Sequence, residues 1–180
     1  MPLLLWWHDP QKGVYSKRIS LQMDGPTTVN ESDFDMVKLS LAAVSDVLEK
    51  IVPGMRLTFV DFGSLLANDS SQQHSFEITS QRGETCIPLK YESDGIRRIV
   101  SILSLLIAAY NDASFTIAID EIDSGIFEYL LGEILAIMAD SIKGQLVFTS
   151  HNLRPLEILP AKYLYFTTTT PEERFLKISN

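Results

Sequence analysis

The segment FTIAIDE, residues 115–121, decides the fold. A short apolar run ends in two adjacent carboxylates, Asp120 and Glu121. Short apolar runs of this kind are typical of strands buried in a parallel sheet. Carboxylates at the end of a buried strand are costly to desolvate, so they are either solvated or held there by a partner or a function. The segment therefore predicts a buried strand with an acidic carboxyl end.

A second segment of this kind is QLVFTSH, residues 145–151. It ends in two hydroxyls and His151, thirty residues after Glu121, with a helix predicted over 126–142 between the two strands. A strand–helix–strand unit with parallel strands brings both strand ends to the same edge of a sheet. An imidazole at such an edge can hydrogen-bond a phosphate oxygen or a positioned water, or it can be a plain surface histidine.

A third segment, ESDGIRR at residues 92–98, opens a helix predicted over 94–111. Ser93 has the side chain of a helix N-cap, and Gly95 would let another chain approach the first turn. The free amides of a helix N-terminus attract anions, although plain capping is the simpler interpretation. Arg97 and Arg98 fit equally well as solvated charges or as salt-bridge partners.

The remaining pattern predicts strands at both ends and one further helix. The first residues, 1–7, are either a docked strand or a segment that has lost the covering of a larger protein or a partner. A strand is predicted at 16–23, followed by a helix that begins within 32–35 and ends at 51. Three further strands are predicted at 56–62, 74–79 and 86–90, with a polar hairpin loop at 68–73 between the first two. A terminal hairpin is predicted from strands at 163–169 and 174–178.

These elements predict an α/β fold with a mainly parallel sheet, flanking helices and an antiparallel hairpin region. We expect one domain, 1–180. Residues 1–92 would form a lead-in of strands, a helix and a hairpin. Residues 93–160 would form the core with the three segments quoted above, and residues 161–180 would form a terminal hairpin.

Composition narrows the function. The chain has 180 residues, 46% of them hydrophobic and 21% charged, with a net charge of −8 and a pI near 4.8. Such acidity disfavours a surface that wraps nucleic acid extensively. The single cysteine, Cys86, excludes an intrachain disulfide and fits a reducing cytoplasm. No targeting signal or run of about 18–20 apolar residues is present, so we expect a cytoplasmic protein without a membrane partner.

Taken together, the three segments resemble motifs of the ABC-type ATPase heads of the SMC, RecF and OLD-like group. More narrowly, the chain resembles bacterial AAA-family ATPases with an ABC-like lobe. LKYESDGIRR at 89–98 looks like their signature segment, IDEIDSGI at 119–126 like their Walker B strand and D-loop, and FTSHN at 148–152 like their switch-histidine segment. The resemblance covers about residues 40–170 and implies the C-terminal lobe of a P-loop NTPase-like head.

The resemblance also implies roles within one nucleotide site. Asp120 would bind Mg²⁺, Glu121 would activate the attacking water, and His151 would contact the γ-phosphate of ATP.

Other roles implied by the resemblance concern a second head. Ser93 and Gly95 would meet the γ-phosphate of a nucleotide held by that head, and Asp123 and Ser124 would lie at the dimer seam. Position 127 is Phe127, which departs from the pattern of the group, so no role is carried onto it.

A phosphate-binding loop is missing from this sequence. None of the nine glycines begins G-x-x-x-x-G-K-[ST], whose amides and lysine grip the phosphates of ATP. The chain is therefore a fragment of a longer ATPase, a natural half-head, or a degenerate relative that only binds a partner. The first two interpretations imply a partner, either an upstream Walker A-containing half or a second chain. The resemblance further implies a homodimer of heads, with DNA as a partner open to the complete protein.

Two other functions compete with an ATP-hydrolysing head that is inactive as this chain alone. One is a non-catalytic interaction or dimerisation module, in which the acids and the histidine are vestigial. The other is a metal-dependent nuclease that uses Asp120, Glu121 and Asp123. The biological process stays open among DNA repair, phage defence and toxin–antitoxin control.

Overall fold

The computed structural model describes residues 2–9, 14–67, 71–169 and 175–177. Single turns of 3₁₀ helix lie at Leu89–Tyr91 and Ala161–Tyr163. The strands and helices are β1 (Leu3–Asp9), β2 (Val14–Leu21), β3 (Thr27–Asn30), α1 (Glu31–Ile51), β4 (Met55–Leu66), β5 (Gln72–Arg82), β6 (Thr85–Pro88), α2 (Asp94–Asn111), β7 (Thr116–Ile119), α3 (Glu128–Ser141), β8 (Gln145–Phe148), α4 (Arg154–Ile158), β9 (Tyr165–Thr167) and β10 (Phe175–Lys177).

The predicted helices are confirmed. α2 spans the residues expected for it. α1 begins at Glu31, just before its predicted start, and ends where predicted, whereas α3 begins two residues later and ends one residue earlier than predicted. Apolar residues spaced at three and four positions give α1 one buried face. That face includes Phe34, Val37, Leu41, Val44 and Leu48.

The lead-in sheet is antiparallel, with β5 central between β3 and β4 and with β6 pairing to β5. α1 covers this sheet, and the buried Ser45 hydroxyl accepts a hydrogen bond from the Leu57 amide at 2.9 Å. The predicted strand at 86–90 ends earlier, at Pro88, because residues 89–91 form a 3₁₀ turn. Residues 68–70 of the predicted polar loop lie outside the described residues.

The expectation of a mainly parallel sheet is confirmed only in part among the described residues. Only β7 and β8 pair in parallel, and the other strand pairs are antiparallel. The physical reason is the order of the strands along the chain: β4, β5 and β6 follow one another without a helix between them, and sequence neighbours that pair in this way are antiparallel. The helical crossover through α3 provides the parallel pair.

The apolar N-terminal run forms the docked strand that was one of its two interpretations. β1 pairs antiparallel with β2, and the side chains of Leu3 and Leu5 are buried at 0% and 2% exposure. Trp6 meets Phe115 edge-on, with ring centroids 4.9 Å apart. The terminal hairpin is also confirmed, since β9 and β10 pair antiparallel. Residues 174 and 178 of the predicted second strand lie outside the described residues.

The sequence predicts buried strands at β7 and β8, and the structure buries them on one face only. Their inward residues include Ile117 and Phe148, whereas Val147 is 53% exposed. Six alternating residues are exposed on the other face: Thr116, Ala118, Asp120, Gln145, Val147 and Thr149. We call this surface the open face. Parallel sheets are normally covered on both faces, but no helix formed by the described residues covers the open face.

A histidine clamped between two carboxylates joins α1 to the β4–β5 hairpin. The ring of His74 stacks on Phe34, with centroids 3.6 Å apart. His74 Nε2 lies 2.7 Å from Asp61 Oδ1, and Nδ1 lies 3.1 Å from Glu31 Oε2. Both ring nitrogens can donate only when the imidazole is protonated.

The pKa directions follow from this geometry. Burial alone would lower the pKa of His74, but the hydrogen bonds to Asp61 and Glu31 outweigh it and raise that pKa above 6.5. The Ser64 hydroxyl and His74 lower the pKa of Glu31. The Gly63 amide and His74 lower the pKa of Asp61.

We expect the stabilisation from this cluster to fall as the pH rises. A raised histidine pKa stabilises the fold fully below the unfolded value, about 6.5, and this contribution is lost as the pH passes the folded pKa. The lowered carboxyl pKa values act oppositely, since their stabilisation is lost only as the pH falls below the ordinary carboxyl range. Denaturant unfolding of the wild type and of His74→Gln, at pH 6 and at pH 8.5, measures the effect. The variant should lose more stability at pH 6 than at pH 8.5, and an equal loss at both would contradict the assignment.

Candidate functional site

The ends of β7 and β8 bring the predicted site residues together. Ile119 pairs with Phe148 at the last step of the parallel ladder, so Asp120 and Thr149 leave the sheet side by side. Thr149 Oγ1 lies 2.5 Å from Asp120 Oδ1. The predicted juxtaposition of the two strand ends is confirmed.

Glu121 has an uncommon backbone conformation, with φ at +48°. Residues with a Cβ are rarely found there, and they persist where the surroundings hold them. The Glu121 amide donates to Thr149 Oγ1 at 2.7 Å, and Arg98 Nη2 donates to the Glu121 carbonyl at 2.9 Å. The surroundings that hold Glu121 therefore include both α2 and the end of β8.

The carboxylate of Glu121 faces His151. Glu121 Oε1 lies 3.4 Å from His151 Nε2, and the side chains are 54% and 82% exposed. The His151 amide points to Asp123, whose two carboxylate oxygens both lie 3.3 Å away. Glu121 and His151 thus form an open pair, accessible to a ligand arriving from outside the chain.

Asp123 and Ser124, implied as dimer-seam residues, lie in the turn after Glu121. Ser124 is exposed, and its amide donates to the Glu121 carbonyl at 3.0 Å. Asp123 is half-buried and accepts a hydrogen bond from the His151 amide, so it stabilises the turn within its own chain. This contact is independent of any role towards a second chain.

Ser93 and Gly95 lie at the start of α2, as expected. The Ser93 hydroxyl accepts from the Ile96 amide at 3.3 Å, which confirms the N-cap. A Cβ at Gly95 would lie less than 3.0 Å from the Gly125 carbonyl oxygen. The space we expected to be open for another chain is therefore filled by the turn after Glu121, and packing within this chain already explains the glycine. Ser93 stays exposed beside that contact.

The two arginines that follow have different contacts. Arg97 pairs with Asp94 and, at 2.9 Å, with Asp24. This fits one of the interpretations left open for it. Arg98 instead donates to the backbone carbonyls of Asp120, at 3.2 Å, and Glu121.

Sequence reasoning missed Thr149 and Arg98 as parts of this site. The only signal for Thr149 was a hydroxyl placed directly after an apolar strand. For Arg98 the sequence carries no such signal, since its partners are carbonyl groups that any residue would present.

The Asp120 carboxylate has the chemistry of a magnesium ligand. Its carboxylate is exposed at the carboxyl edge of a parallel pair, and Mg²⁺ prefers hard oxygen ligands. Among the described residues, no three or more His, Cys, Asp or Glu side chains gather into a metal-binding group. A site with one protein carboxylate matches the usual mode for Mg²⁺ with nucleotides, in which phosphates and water supply the other ligands.

Within the part of the chain that is described, no helix has the length and apolar character needed to cross a bilayer.

Similarity to solved structures defines the class of fold. The chain has the fold of an ABC-type ATPase head of the SMC kind, which confirms the resemblance to the C-terminal lobe of such a head at the level of fold. No protein-family model matches the sequence, and a search of curated proteins found no relative.

Three structures illustrate the similarity. A structure from work on ATP-driven dimerisation and DNA-stimulated activation of SMC ATPases is 11% identical, with a TM-score of 0.59, and the match covers 82% of this chain and 89% of that one. The Smc head with a coiled coil and joint from Pyrococcus yayanosii is 13% identical, with a TM-score of 0.60 and coverage of 83% and 28%. The Smc head from Pyrococcus furiosus bound to the C-terminal domain of ScpA is 16% identical, with a TM-score of 0.50 and coverage of 71% and 32%. This chain spans a third or less of the two Pyrococcus chains.

Proposed function

We propose that this chain is the hydrolytic half of an ABC-type ATPase head, completed by a polypeptide segment that supplies the phosphate-binding loop. We call that assembly the complete head. The observation that carries the proposal is the meeting of Asp120, Glu121 and His151 at one exposed edge of a parallel strand pair. Each residue alone has an ordinary structural explanation. Folding alone, however, does not require two carboxylates and a histidine to meet at the same pair of strand ends.

Each of these side chains has a task in nucleotide hydrolysis. When bound, Mg²⁺ would neutralise charge on the phosphates of ATP. Asp120 would hold it through a carboxylate oxygen. Glu121 would accept the proton of the attacking water, and His151, beside it at 3.4 Å, would donate a hydrogen bond to a terminal phosphate oxygen.

The open face supports a requirement for a second segment. Val147 and Ala118 are exposed on it, although parallel strands are normally covered on both faces. Asp120 and Thr149 lie on the same face, so a covering segment would also exclude water from the site. A phosphate-binding loop on that segment would meet Asp120 directly.

The exposed start of α2 supports a second head as a further partner. Ser93 and Asp94 are exposed, and the free amides of the first turn are suited to a phosphate. In the proposed dimer these groups would contact the nucleotide held by the opposite head. A homodimer is the simplest assembly with this symmetry. The acidity of this lobe disfavours extensive contact with DNA, so any DNA bound by the complete protein would contact its other parts.

Replacing Ser93 by arginine should block nucleotide-driven dimerisation. A bulky cation at the first turn would occupy the place of the opposite nucleotide, so dimer formation with a non-hydrolysable ATP analogue should weaken by at least about 100-fold, while ATP binding by the single head is retained. Light scattering after size exclusion measures the assembly of the complete head.

Ser93→Ala is the matched control, because it also removes the helix cap, worth about 1 kcal/mol, but adds no bulk. It should still dimerise. Dimers of normal affinity with Ser93→Arg would show that this helix end does not face a second head.

Calorimetry with ATP and Mg²⁺ tests the proposed function. This chain alone should bind weakly, with a Kd above about 1 mM, because it lacks the amides and lysine that grip the phosphates. The complete head should bind in the micromolar range and hydrolyse ATP. Tight binding by this chain alone would refute the proposed division of the site.

The alternative is a degenerate module that only binds a partner. It is favoured by the exposure of the Glu121–His151 pair and by the intrachain explanation of Gly95. It predicts a complete head that binds a partner or a nucleotide without turning it over.

A further inference from the structure

Thr149 is tied to the acidic turn by its side chain and its backbone. Its hydroxyl lies 2.5 Å from Asp120 Oδ1 and accepts from the Glu121 amide at 2.7 Å. Its amide donates to the Ile119 carbonyl at 3.1 Å, and its carbonyl accepts from the Ile122 amide at 3.0 Å. Each residue from 119 to 122 therefore has a hydrogen bond to Thr149.

The hydroxyl makes the two bonds that determine where the acids point. A hydroxyl has one proton to donate and lone pairs to accept, so a single group can hold a carboxylate oxygen and a backbone amide together. The bond to Asp120 fixes one oxygen of that carboxylate. The bond to the Glu121 amide supports the left-handed backbone at φ +48° and, through it, the direction of the Glu121 side chain.

The neighbouring hydroxyl does something different. Ser150 Oγ accepts from the Asn152 amide at 3.0 Å and stabilises a local turn. The chain thus offers two adjacent hydroxyls, of which one touches the acidic turn.

We propose that Thr149 is a positioning residue of the hydrolytic site, whose hydroxyl fixes the Asp120 carboxylate and holds the Glu121 backbone so that the Glu121 carboxylate is directed towards His151. This role rests on the proposed function. Thr149 itself touches neither the nucleotide nor the water in this scheme.

Hydrogen exchange in this chain tests the holding contact without any activity. In Thr149→Val the Glu121 amide loses its acceptor and should exchange about tenfold faster, while the Ile122 amide, bonded to a backbone carbonyl, keeps its rate. Thr149→Ser retains the hydroxyl and should leave the Glu121 rate near that of the wild type. Ser150→Ala is the matched control and should also leave it unchanged. An unaltered Glu121 rate in Thr149→Val would overturn the inference.

Kinetics of the complete head test the functional consequence. Thr149→Val should lower kcat by about 100-fold, raise the Mg²⁺ concentration for half-maximal activity by about tenfold and leave the KM for ATP nearly unchanged. Thr149→Ser should recover most of the lost turnover. Equal changes in kcat and KM, or no rescue by serine, would indicate general damage to the fold and overturn the assignment.

Glu121→Gln in the same assay distinguishes a failure of the Thr149 inference from a failure of the proposed function. If it abolishes turnover while Thr149→Val stays active, the role of Thr149 is wrong and the proposed function stands. If Glu121→Gln hydrolyses ATP normally, Glu121 is not the base and that part of the proposed function is wrong. The exchange rate of the Glu121 amide in Thr149→Val then still decides whether the hydroxyl holds the turn.

Discussion

Glu121→Gln should reduce ATP turnover by the complete head at least about 100-fold while ATP binding is preserved. A side-chain general base contributes about 10²–10⁴-fold to such a reaction, and an amide of nearly the same shape cannot accept the proton of water. The Glu121 carboxylate lies at the surface beside His151, 3.4 Å away, so the substitution removes a charge without opening a cavity. Steady-state phosphate release and nucleotide calorimetry on the same preparation measure the two parts of the prediction.

Glu133→Gln provides the control for the loss of charge. Glu133 is exposed on α3, and no site role is assigned to it. It should hydrolyse ATP at the wild-type rate. Normal turnover by Glu121→Gln would remove Glu121 as the base, and impaired nucleotide binding would mean that the substitution disturbs the site in another way.

The parts of this site that could be predicted are those fixed by local pattern and connection rules. Ser93 has the side chain of an N-cap ahead of a long apolar periodicity, so the start of α2 was predicted at the right residue. Asp120 and His151 end two apolar runs joined by a helix, and right-handed crossover geometry is enough to place them at one edge.

Other parts depend on contacts between distant residues. Arg98 finds carbonyl groups 22 and 23 residues away, and the Thr149 hydroxyl finds an amide 28 residues away. Such bonds form only in the folded chain, and nothing in the sequence marks Glu121 for a left-handed backbone conformation. At Gly95 the sequence suggested an intermolecular contact that the structure replaces with one inside the chain. A glycine in a helix start suggested room for a partner, whereas it packs against Gly125.

The same limit applies to the sheet. Apolar runs such as residues 115–119 and 145–148 predict burial, but hydrophobicity cannot tell whether the covering layer belongs to the same chain. Val147 and Ala118 are apolar and exposed, and they share the open face with four polar residues, so burial of the apolar runs stops at one face. The predicted burial of these two strands therefore holds for one face, and the exposure of the other face is one of the observations behind the proposed second segment.

The second large effect is expected at Gly144, where the chain enters β8. The Gly144 amide donates to the Ala109 carbonyl at 2.7 Å, and the next amide, of Gln145, donates to the Phe115 carbonyl at 2.8 Å. A Cβ at Gly144 would lie less than 3.0 Å from three backbone oxygens, those of Ala109, Asp112 and Phe115. Backbone oxygens cannot rotate away as the end of a side chain can, so the end of α2 or the start of β7 would have to move.

Gly144→Ala should therefore lower the free energy of unfolding by about 3 kcal/mol, the upper range for overpacking a well-packed region. For a chain of this length that corresponds to a fall in Tm of about 10 °C. Gly25→Ala is the matched control, since a Cβ there meets nothing within 4 Å, and it should change stability by less than about 0.5 kcal/mol. Thermal and denaturant unfolding of this chain measure both variants. If Gly144→Ala is as stable as Gly25→Ala, the parallel pair is not fixed at its entry by this contact, and the edge that carries Asp120 and His151 is held from elsewhere.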